Sequence, residues 1–191
     1  MPFPDESARP WQIVPHQPAW SAEFERLATL LHATLGALAV AVDHVGSTSV
    51  PGLAAKDVID VQVRVASLAD AEEQITTRMT GIGFRLRPEP WNHREVSRGR
   101  TCRKLVFAPP VGGRPANVHV REQGGPNARY ALLFRDYLRA TPEARAAWGA
   151  FKRRLAEDVP DLSAYGQIKA PATDVLMGAA ELWAEANRWK P

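Results

Sequence analysis

The sequence predicts an α+β fold: a mixed sheet of about five strands flanked by helices, followed by a helical C-terminal tail. Apolar residues recur at helical spacing near the N-terminus. Short alternating or apolar runs typical of strands fill the middle, and proline-punctuated helical segments occupy the last third. The pattern predicts one domain over residues 1–191, with a core at about 14–125 and a tail at about 127–189.

The first half of the chain contains two predicted strands between two predicted helices. A short apolar run at 39–45 predicts a buried strand, and residues 58–65 alternate strictly between apolar and polar side chains. Ser67 is typical of an N-cap, with Asp70 three residues on, and predicts a helix to about Thr80. The first helix is predicted from the spacing of Trp20, Phe24, Leu27, Leu30, Leu31 and Leu35.

The second half completes the sheet and then becomes helical. Three further strands are predicted, and the last two are joined by a turn at 109–115. Three helices follow, separated by Pro142, Pro160 and Pro171. The strands are at 84–87, 102–108 and 116–121, and the helices at 127–140, 142–157 and 171–189.

The composition excludes several classes of protein. A single cysteine, Cys102, cannot form an internal disulfide, and no run approaches the roughly 18 apolar residues of a membrane span. Residues 1–10 lack a basic region followed by an apolar stretch, so no secretory signal is predicted. We therefore expect a cytoplasmic protein that does not bind membranes.

Charge is distributed unevenly along the chain. Residues 1–95 carry 8 basic and 12 acidic side chains, whereas residues 96–191 carry 16 and 9. A basic half suggests an anionic partner such as a nucleotide phosphate. The alternative is that the arginines only form the solvated faces of helices. Binding of a nucleic acid would require them to form one continuous stripe.

One segment, residues 44–53, has a residue pattern that a purely structural element would not need. Gly46, Ser47 and Thr48 could bring backbone N–H groups and hydroxyl oxygens together around an anion, with Lys56 adding positive charge. Ordinary turn and N-cap chemistry would use the same residues. Asp60 follows on the polar face of a strand, where a carboxylate needs a cation, either a metal ion or a basic side chain.

The order Gly-Ser, then carboxylates two residues apart on the next strand, resembles the nucleotidyltransferase pattern. That resemblance implies that the carboxylates hold Mg²⁺ and that the Gly-Ser turn binds phosphate. Asp60 matches the first carboxylate, but the second position is Gln62, which is neutral. One metal ion, or anion binding without catalysis, fits this sequence better than two-metal chemistry.

Several longer stretches form a specific pattern along the chain. They are residues 44–56, 59–60, 117–120, 133–139 and 152–153, together with Tyr165 and Lys169. This pattern resembles the GrpB family. The resemblance implies a nucleotidyltransferase-like fold, and it implies relatives in which the same domain is fused to dephospho-coenzyme A kinase. It does not imply an activity, because none is established for the family.

Two further residues are candidates for chemistry beside Asp60. His119 shares a predicted strand face with Asn117, so it could supply a metal ligand or transfer a proton if that strand neighbours the Asp60 strand. The alternative is a histidine hydrogen-bonded within a polar sheet face. The Glu122 carboxylate could bind Mg²⁺ together with that of Asp60. Asp60 and His119 are thus the predicted catalytic pair.

The tail supplies the remaining candidates. Arg135 could contact a phosphate with its planar fork, and Tyr165 and Lys169, one helical turn apart, could close the same cleft. The first functional hypothesis is binding of a nucleotide or phosphorylated small molecule, with metal-dependent nucleotidyl or phosphoryl transfer if the protein is catalytic. The second is an inactive relative acting as a regulatory or partner-binding module, for example with dephospho-coenzyme A kinase.

Overall fold

The computed structural model describes residues 3–7, 11–159 and 161–191. Three short 3₁₀ turns, at Gly36–Leu38, Ser47–Ser49 and Pro90–Asn92, connect the regular elements. The strands are β1 (Ala41–Val45), β2 (Ile59–Val65), β3 (Arg85–Leu86), β4 (Arg94–Ser97), β5 (Arg100–Arg103), β6 (Leu105–Ala108) and β7 (Ala116–Glu122). The helices are α1 (Pro4–Ser7), α2 (Ala19–Leu35), α3 (Leu68–Gly81), α4 (Pro126–Ala140), α5 (Pro142–Asp158) and α6 (Leu162–Ala186).

Five strands form a mixed sheet in the order β1-β2-β7-β6-β3, which confirms the predicted fold class. Strands β2 and β7 run parallel, and the other neighbouring pairs are antiparallel. The register of the parallel pair places Asp60 opposite Asn117, and Gln62 opposite His119. Since side chains alternate along a strand, all four project from the same face of the sheet.

The two faces of the sheet have different partners. Apolar side chains of β2 and β7, such as Val61 and Val118, are fully buried with α2 and α3 in one hydrophobic core. The polar face lies towards α4, and a second apolar cluster joins the segment at Val50 and Leu53 to α4, α5 and α6. Consequently the polar face and the C-terminal helices enclose a space that the main core does not fill.

Two predicted boundaries are wrong. Helix α6 starts at Leu162 and continues through Pro171, because Tyr165 and Met177 on either side of the proline are both buried and hold the helix in place. The predicted breaker Pro160 lies outside the described residues. The predicted strand at 102–108 is split: β5 pairs with β4 in a separate hairpin, and β6 joins the main sheet.

The predicted N-cap of α3 is confirmed. The Ser67 hydroxyl accepts a hydrogen bond from the Asp70 N–H at 3.3 Å, so it is the N-cap of α3. Within the described ranges, none of the helices has the length and apolarity needed to cross a lipid bilayer.

Candidate functional site

The Gly-Ser turn follows the edge strand β1 and packs directly on Asp60 of β2. Gly46 has φ +69° and ψ −168°, a backbone conformation that is essentially restricted to glycine. A Cβ at this position would lie 2.9 Å from the Cβ of Asp60 and would overlap its carboxylate. The glycine is therefore required both by the backbone and by the position of the Asp60 side chain.

Side chains from the C-terminal helices hold this turn. The Arg139 guanidinium donates to the Ser49 carbonyl at 2.7 and 3.0 Å, and Arg135 donates to the His44 carbonyl at 3.2 Å. The Lys152 ammonium donates to the Ser47 hydroxyl at 2.9 Å and to the Ala54 carbonyl at 2.5 Å. Three residues of α4 and α5 thus fix the turn from one side.

The turn, the polar sheet face and the helices enclose a pocket of about 270 Å³. This is near the lower limit of the range for small-molecule sites, about 300–1,000 Å³. Its lining mixes hydroxyl, carboxylate, amide, imidazole and ammonium groups with a few apolar side chains. The lining residues are Ile13, Ser47, Thr48, Ala55, Lys56, Val58, Asp60, Asn117, His119, Lys152, Tyr165 and Lys169.

Three lysines share this pocket with one carboxylate. Burial, together with the charges of Lys169 and Lys56, lowers the pKa of Lys152 to about 7. Burial and the charge of Lys169 lower the pKa of Lys56 to about 8, and burial also lowers the pKa of Lys169. The Asp60 charge opposes these shifts without cancelling them. The pocket therefore has more positive charge than its own carboxylate can balance.

Aromatic rings cover the Lys56 ammonium. Its nitrogen lies 5.2 Å from the ring centre of Tyr165 and 5.7 Å from that of Trp11. The two rings are themselves 5.0 Å apart. Such cation–π contacts hold the ammonium while leaving its hydrogen-bonding capacity for a ligand.

Asp60 and His119 lie side by side on β2 and β7. The Asn117 amide donates to Asp60 Oδ1 at 3.0 Å, and His119 Nε2 lies 3.8 Å from the same oxygen. Burial opposes ionisation of Asp60, but the nearby His119 ring, the hydrogen bond from Asn117 and the charge of Lys169 bring its pKa below the ordinary value. Burial and the Arg121 charge lower the pKa of His119, so its ring is neutral at neutral pH.

The donor set around Asp60 does not fit a pair of Mg²⁺ ions. The Gln62 amide oxygen accepts from Arg121 Nη1 at 3.0 Å, and its NH₂ donates to the Ala128 carbonyl at 3.3 Å. The residue at the second carboxylate position of the nucleotidyltransferase pattern is therefore already hydrogen-bonded within the protein. No cluster of three acidic, histidine or cysteine side chains suited to a metal ion occurs in the described part of the chain. Hard divalent cations prefer several anionic oxygen ligands, whereas this pocket is rich in ammonium groups.

Most of the residues predicted for the site come together in the structure. Ser47, Thr48, Lys56, Asp60, His119 and Lys169 all line the pocket, and Gly46 packs against Asp60.

Two predicted residues do not reach the pocket lining. Arg135 pairs with its neighbour Asp136 and supports the turn. Glu122 lies on the opposite face of β7, where its carboxylate accepts from the Leu68 N–H at 2.9 Å and caps α3. The structure therefore does not place Glu122 beside Asp60 as a metal ligand.

The prediction missed Lys152 and Asn117 as site residues. The signal for Lys152 was present, because it lies four residues after Trp148 and three before Leu155, on the buried face of α5. A lysine on the apolar face of a helix is unusual unless it serves a site. Asn117 could have been found from its alternation with His119 on the same strand face.

The comparisons agree with this architecture. A family model described as GrpB protein matches residues 10–178. The chain belongs to the GrpB family. A UPF0157 protein of Streptomyces coelicolor is 36% identical over 170 residues, which cover 88% of this chain and 82% of that protein. A protein named dephospho-CoA kinase from Mycolicibacterium paratuberculosis is 37% identical over 200 residues, which cover 95% of this chain and 49% of that protein. The chain spans about half the length of the dephospho-CoA kinases that it matches.

Solved structures extend the comparison to the fold. The conserved protein GrpB from Enterococcus faecalis superposes with a TM-score of 0.73 at 27% identity, covering 90% of this chain and 98% of that one. The match with a chain of the GLD-2/RNP-8 complex covers 75% of this chain and 45% of that one, with a TM-score of 0.50 at 12% identity. At that identity the likeness concerns the fold alone, and it agrees with the nucleotidyltransferase-like fold predicted for this chain.

Proposed function

We propose that the lysine pocket binds the phosphate of a nucleotide or of another phosphorylated small molecule, and that it does so without a divalent cation. The observation that carries this proposal is the convergence of Lys56, Lys152 and Lys169 on a pocket with one carboxylate. An incoming phosphate would supply the missing negative charge and accept hydrogen bonds from these ammonium groups. The Ser47 and Thr48 hydroxyls line the same space and add neutral donors.

The surrounding charges favour a compact anion over a nucleic acid. Several basic side chains outside the pocket are paired in ion contacts, such as Arg85 with Asp5, Arg87 with Glu6, and Arg129 with Glu181. A nucleic-acid backbone would need a continuous stripe of available cations. We propose that the protein meets such a ligand in the cytoplasm, the location expected from the sequence.

Metal-dependent nucleotidyl or phosphoryl transfer is less well supported than binding. In the sequence pattern a second carboxylate would stand at Gln62, whose amide groups are occupied by Arg121 and Ala128. The lysines would neutralise phosphate in place of Mg²⁺. Asp60 and the neutral ring of His119 remain as groups that can accept a proton beside the bound phosphate.

The test is thermal unfolding with tripolyphosphate, ATP, dephospho-coenzyme A and coenzyme A, each with Mg²⁺ or with EDTA. A ligand at 100 times its Kd adds about 2.7 kcal/mol of stability, which raises the Tm of a chain of this size by about 5–10 °C. We expect at least one of these anions to stabilise the protein equally with Mg²⁺ and with EDTA. A requirement for Mg²⁺ would contradict the metal-free site, and the absence of any shift would contradict phosphate binding.

Lys152→Gln and Lys190→Gln form a matched pair for this experiment. Both remove one ammonium group, but Lys152 is 2% exposed in the pocket whereas Lys190 is exposed near the C-terminus. Loss of a charged hydrogen bond costs about 1.5–3 kcal/mol, so Lys152→Gln should weaken binding by at least about tenfold. Equal affinity of the two variants would place the anion elsewhere.

A second candidate function is a partner-binding module without catalysis. The engaged Gln62 amide favours it, and so does the dephospho-CoA kinase name of relatives in which this region is about half of the protein. The test is titration of this chain with a separately produced dephospho-coenzyme A kinase lacking such a region, followed by calorimetry. A stoichiometric complex would support the module, and no heat of binding at micromolar concentrations would argue against it.

A further inference from the structure

Lysine is rare in this chain, and most of it is in one place. The 24 basic residues comprise 19 arginines and five lysines, and Lys56, Lys152 and Lys169 line the same small pocket. Of the other two, Lys104 forms an ion pair with Glu95 at 2.8 Å, and Lys190 is exposed. Elsewhere the chain uses arginine even in well-buried positions such as Arg87 and Arg121. The pocket therefore has lysine in a protein that otherwise selects arginine.

Lysine differs from arginine in that its side chain can lose its proton in a protein. Arginine stays charged at any physiological pH, whereas a buried lysine beside other cations becomes a neutral amine, which is a nucleophile. Simple anion binding could be performed by arginine, which matches the geometry of phosphate at least as well. The selective use of lysine thus indicates chemistry that requires a free amine.

Lys152 is the best placed of the three for that chemistry. Its ammonium nitrogen is held by two acceptors, Ser47 Oγ and the Ala54 carbonyl, and no carboxylate forms an ion pair with it among the residues described. A neutral amine that donates two N–H groups to these acceptors keeps its lone pair unshared. Burial favours the neutral state most, repulsion by Lys169 and Lys56 adds to it, and the charge of Asp60 opposes it, which together brings the pKa of the amine to about 7.

We infer that Lys152 forms a Schiff base with a small phosphorylated aldehyde or ketone, an inference that rests on the proposed phosphate binding in the same pocket. The amine lone pair attacks the carbonyl carbon, and a carbinolamine forms. Its hydroxyl leaves as water after taking a proton from a neighbouring ammonium, Lys56 or Lys169, and the nitrogen gives up a proton in turn. Amine and carbonyl compound become imine and water, and no oxidant or further reactant is needed.

The pocket has room and charge for this substrate. A short carbon chain and one phosphate fit in about 270 Å³, and the lysines that do not react remain to hold the phosphate oxygens. The neutral His119 ring and the Asp60 carboxylate lie beside one another on the sheet side of the pocket. They could then accept a proton from the carbon next to the imine.

The test is reductive trapping with glyceraldehyde 3-phosphate and sodium cyanoborohydride at pH 7.4, followed by intact mass measurement and peptide mapping. We expect one adduct per chain, on Lys152. The rate should exceed that at Lys190 by at least about tenfold, because an ordinary lysine is neutral in only about one molecule in a thousand at this pH. Glyceraldehyde lacks the phosphate and should react far more slowly, and tripolyphosphate should protect Lys152.

Two outcomes would overturn the inference: equal labelling of Lys152 and Lys190, or equal labelling by glyceraldehyde with and without its phosphate. Lys152→Arg, confirmed as folded by its melting curve, should show no pocket adduct, and an undiminished adduct in this variant would also contradict the assignment. The wild-type protein separates the two proposals. If tripolyphosphate stabilises it but no adduct forms, phosphate binding stands and the Schiff base fails. If tripolyphosphate neither stabilises nor protects it, phosphate binding fails as well.

Discussion

Replacement of Gly46 by alanine tests the packing of the Gly-Ser turn on Asp60. The backbone at this position is one that L-residues seldom adopt, which costs about 1–3 kcal/mol for a side chain. The new Cβ would also lie 2.9 Å from the Asp60 Cβ and would displace its carboxylate from the Asn117 amide, a hydrogen bond worth about 1 kcal/mol. We expect Gly46→Ala to lower the free energy of unfolding by about 2–4 kcal/mol.

Gly52→Ala is the matched control, because it shares the positive φ but not the overlap. Gly52 has φ +80°, and a Cβ there would meet its nearest neighbour, Arg145 Nε, at an ordinary 3.7 Å. This variant should lose about 1–2 kcal/mol from backbone strain alone. Urea denaturation followed by fluorescence of the six tryptophans measures both free energies.

A double-mutant cycle isolates the contact with Asp60. In an Asp60→Gly background the overlapping atoms are gone, so Gly46→Ala should cost at least about 1 kcal/mol less than it does in the wild type. Equal costs of Gly46→Ala in the two backgrounds, or equal costs of Gly46→Ala and Gly52→Ala, would refute the argument that Asp60 determines the glycine.

Three further predictions concern charged groups. Arg121→Met should lower the free energy of unfolding by about 2–4 kcal/mol in urea, because it leaves the Gln62 amide oxygen without its donor and removes one of the cations paired with Glu95. A loss below about 1 kcal/mol would contradict this role. Because the folded-state pKa of Lys152 is about 7, the unfolded state binds more protons than the folded state between pH 7 and 10, so the free energy of unfolding should rise with pH there. Lys152→Met should flatten this rise, and an unchanged slope of the free energy of unfolding against pH would contradict the lowered pKa of Lys152. Glu122→Ala should cost about 1 kcal/mol through loss of the α3 cap and leave anion affinity unchanged, and a loss of affinity by calorimetry would return Glu122 to the site.

The sheet and the part of the site formed by the Gly-Ser turn and Asp60 could be predicted because their sequence patterns are local. Strict alternation at 58–65 and the Gly-Ser turn each depend on residues within a few positions of one another. Pro171 misled the prediction, since packing of Tyr165 and Met177 outweighs the missing N–H. The split of the predicted strand at 102–108 likewise depends on which partner each part pairs with, which no local pattern contains.

The limits of the site prediction have a similar cause. Glu122 has the right residue type, but it falls on the opposite face of β7 from His119, and its carboxylate is used by α3. Arg135 is directed to a backbone carbonyl by the way α4 lies against β1. Lys152 could have been suspected from the buried face of its helix, but its meeting with Ser47 depends on how α5 docks, which only the three-dimensional structure shows.

The contacts that hold the Gly-Ser turn have a consequence for the order of folding. Ser47 and Lys152 are 105 residues apart, and the Arg135 and Arg139 contacts span 91 and 90 residues. Loops of this length close late, because their entropy must be spent before their contacts form. During synthesis the strands that carry Asp60 and His119 leave the ribosome well before α5 and α6. The turn, its lysines and any affinity for a ligand should therefore appear together in the final folding step, so a ligand present during synthesis would encounter an unfinished pocket until the last helices dock.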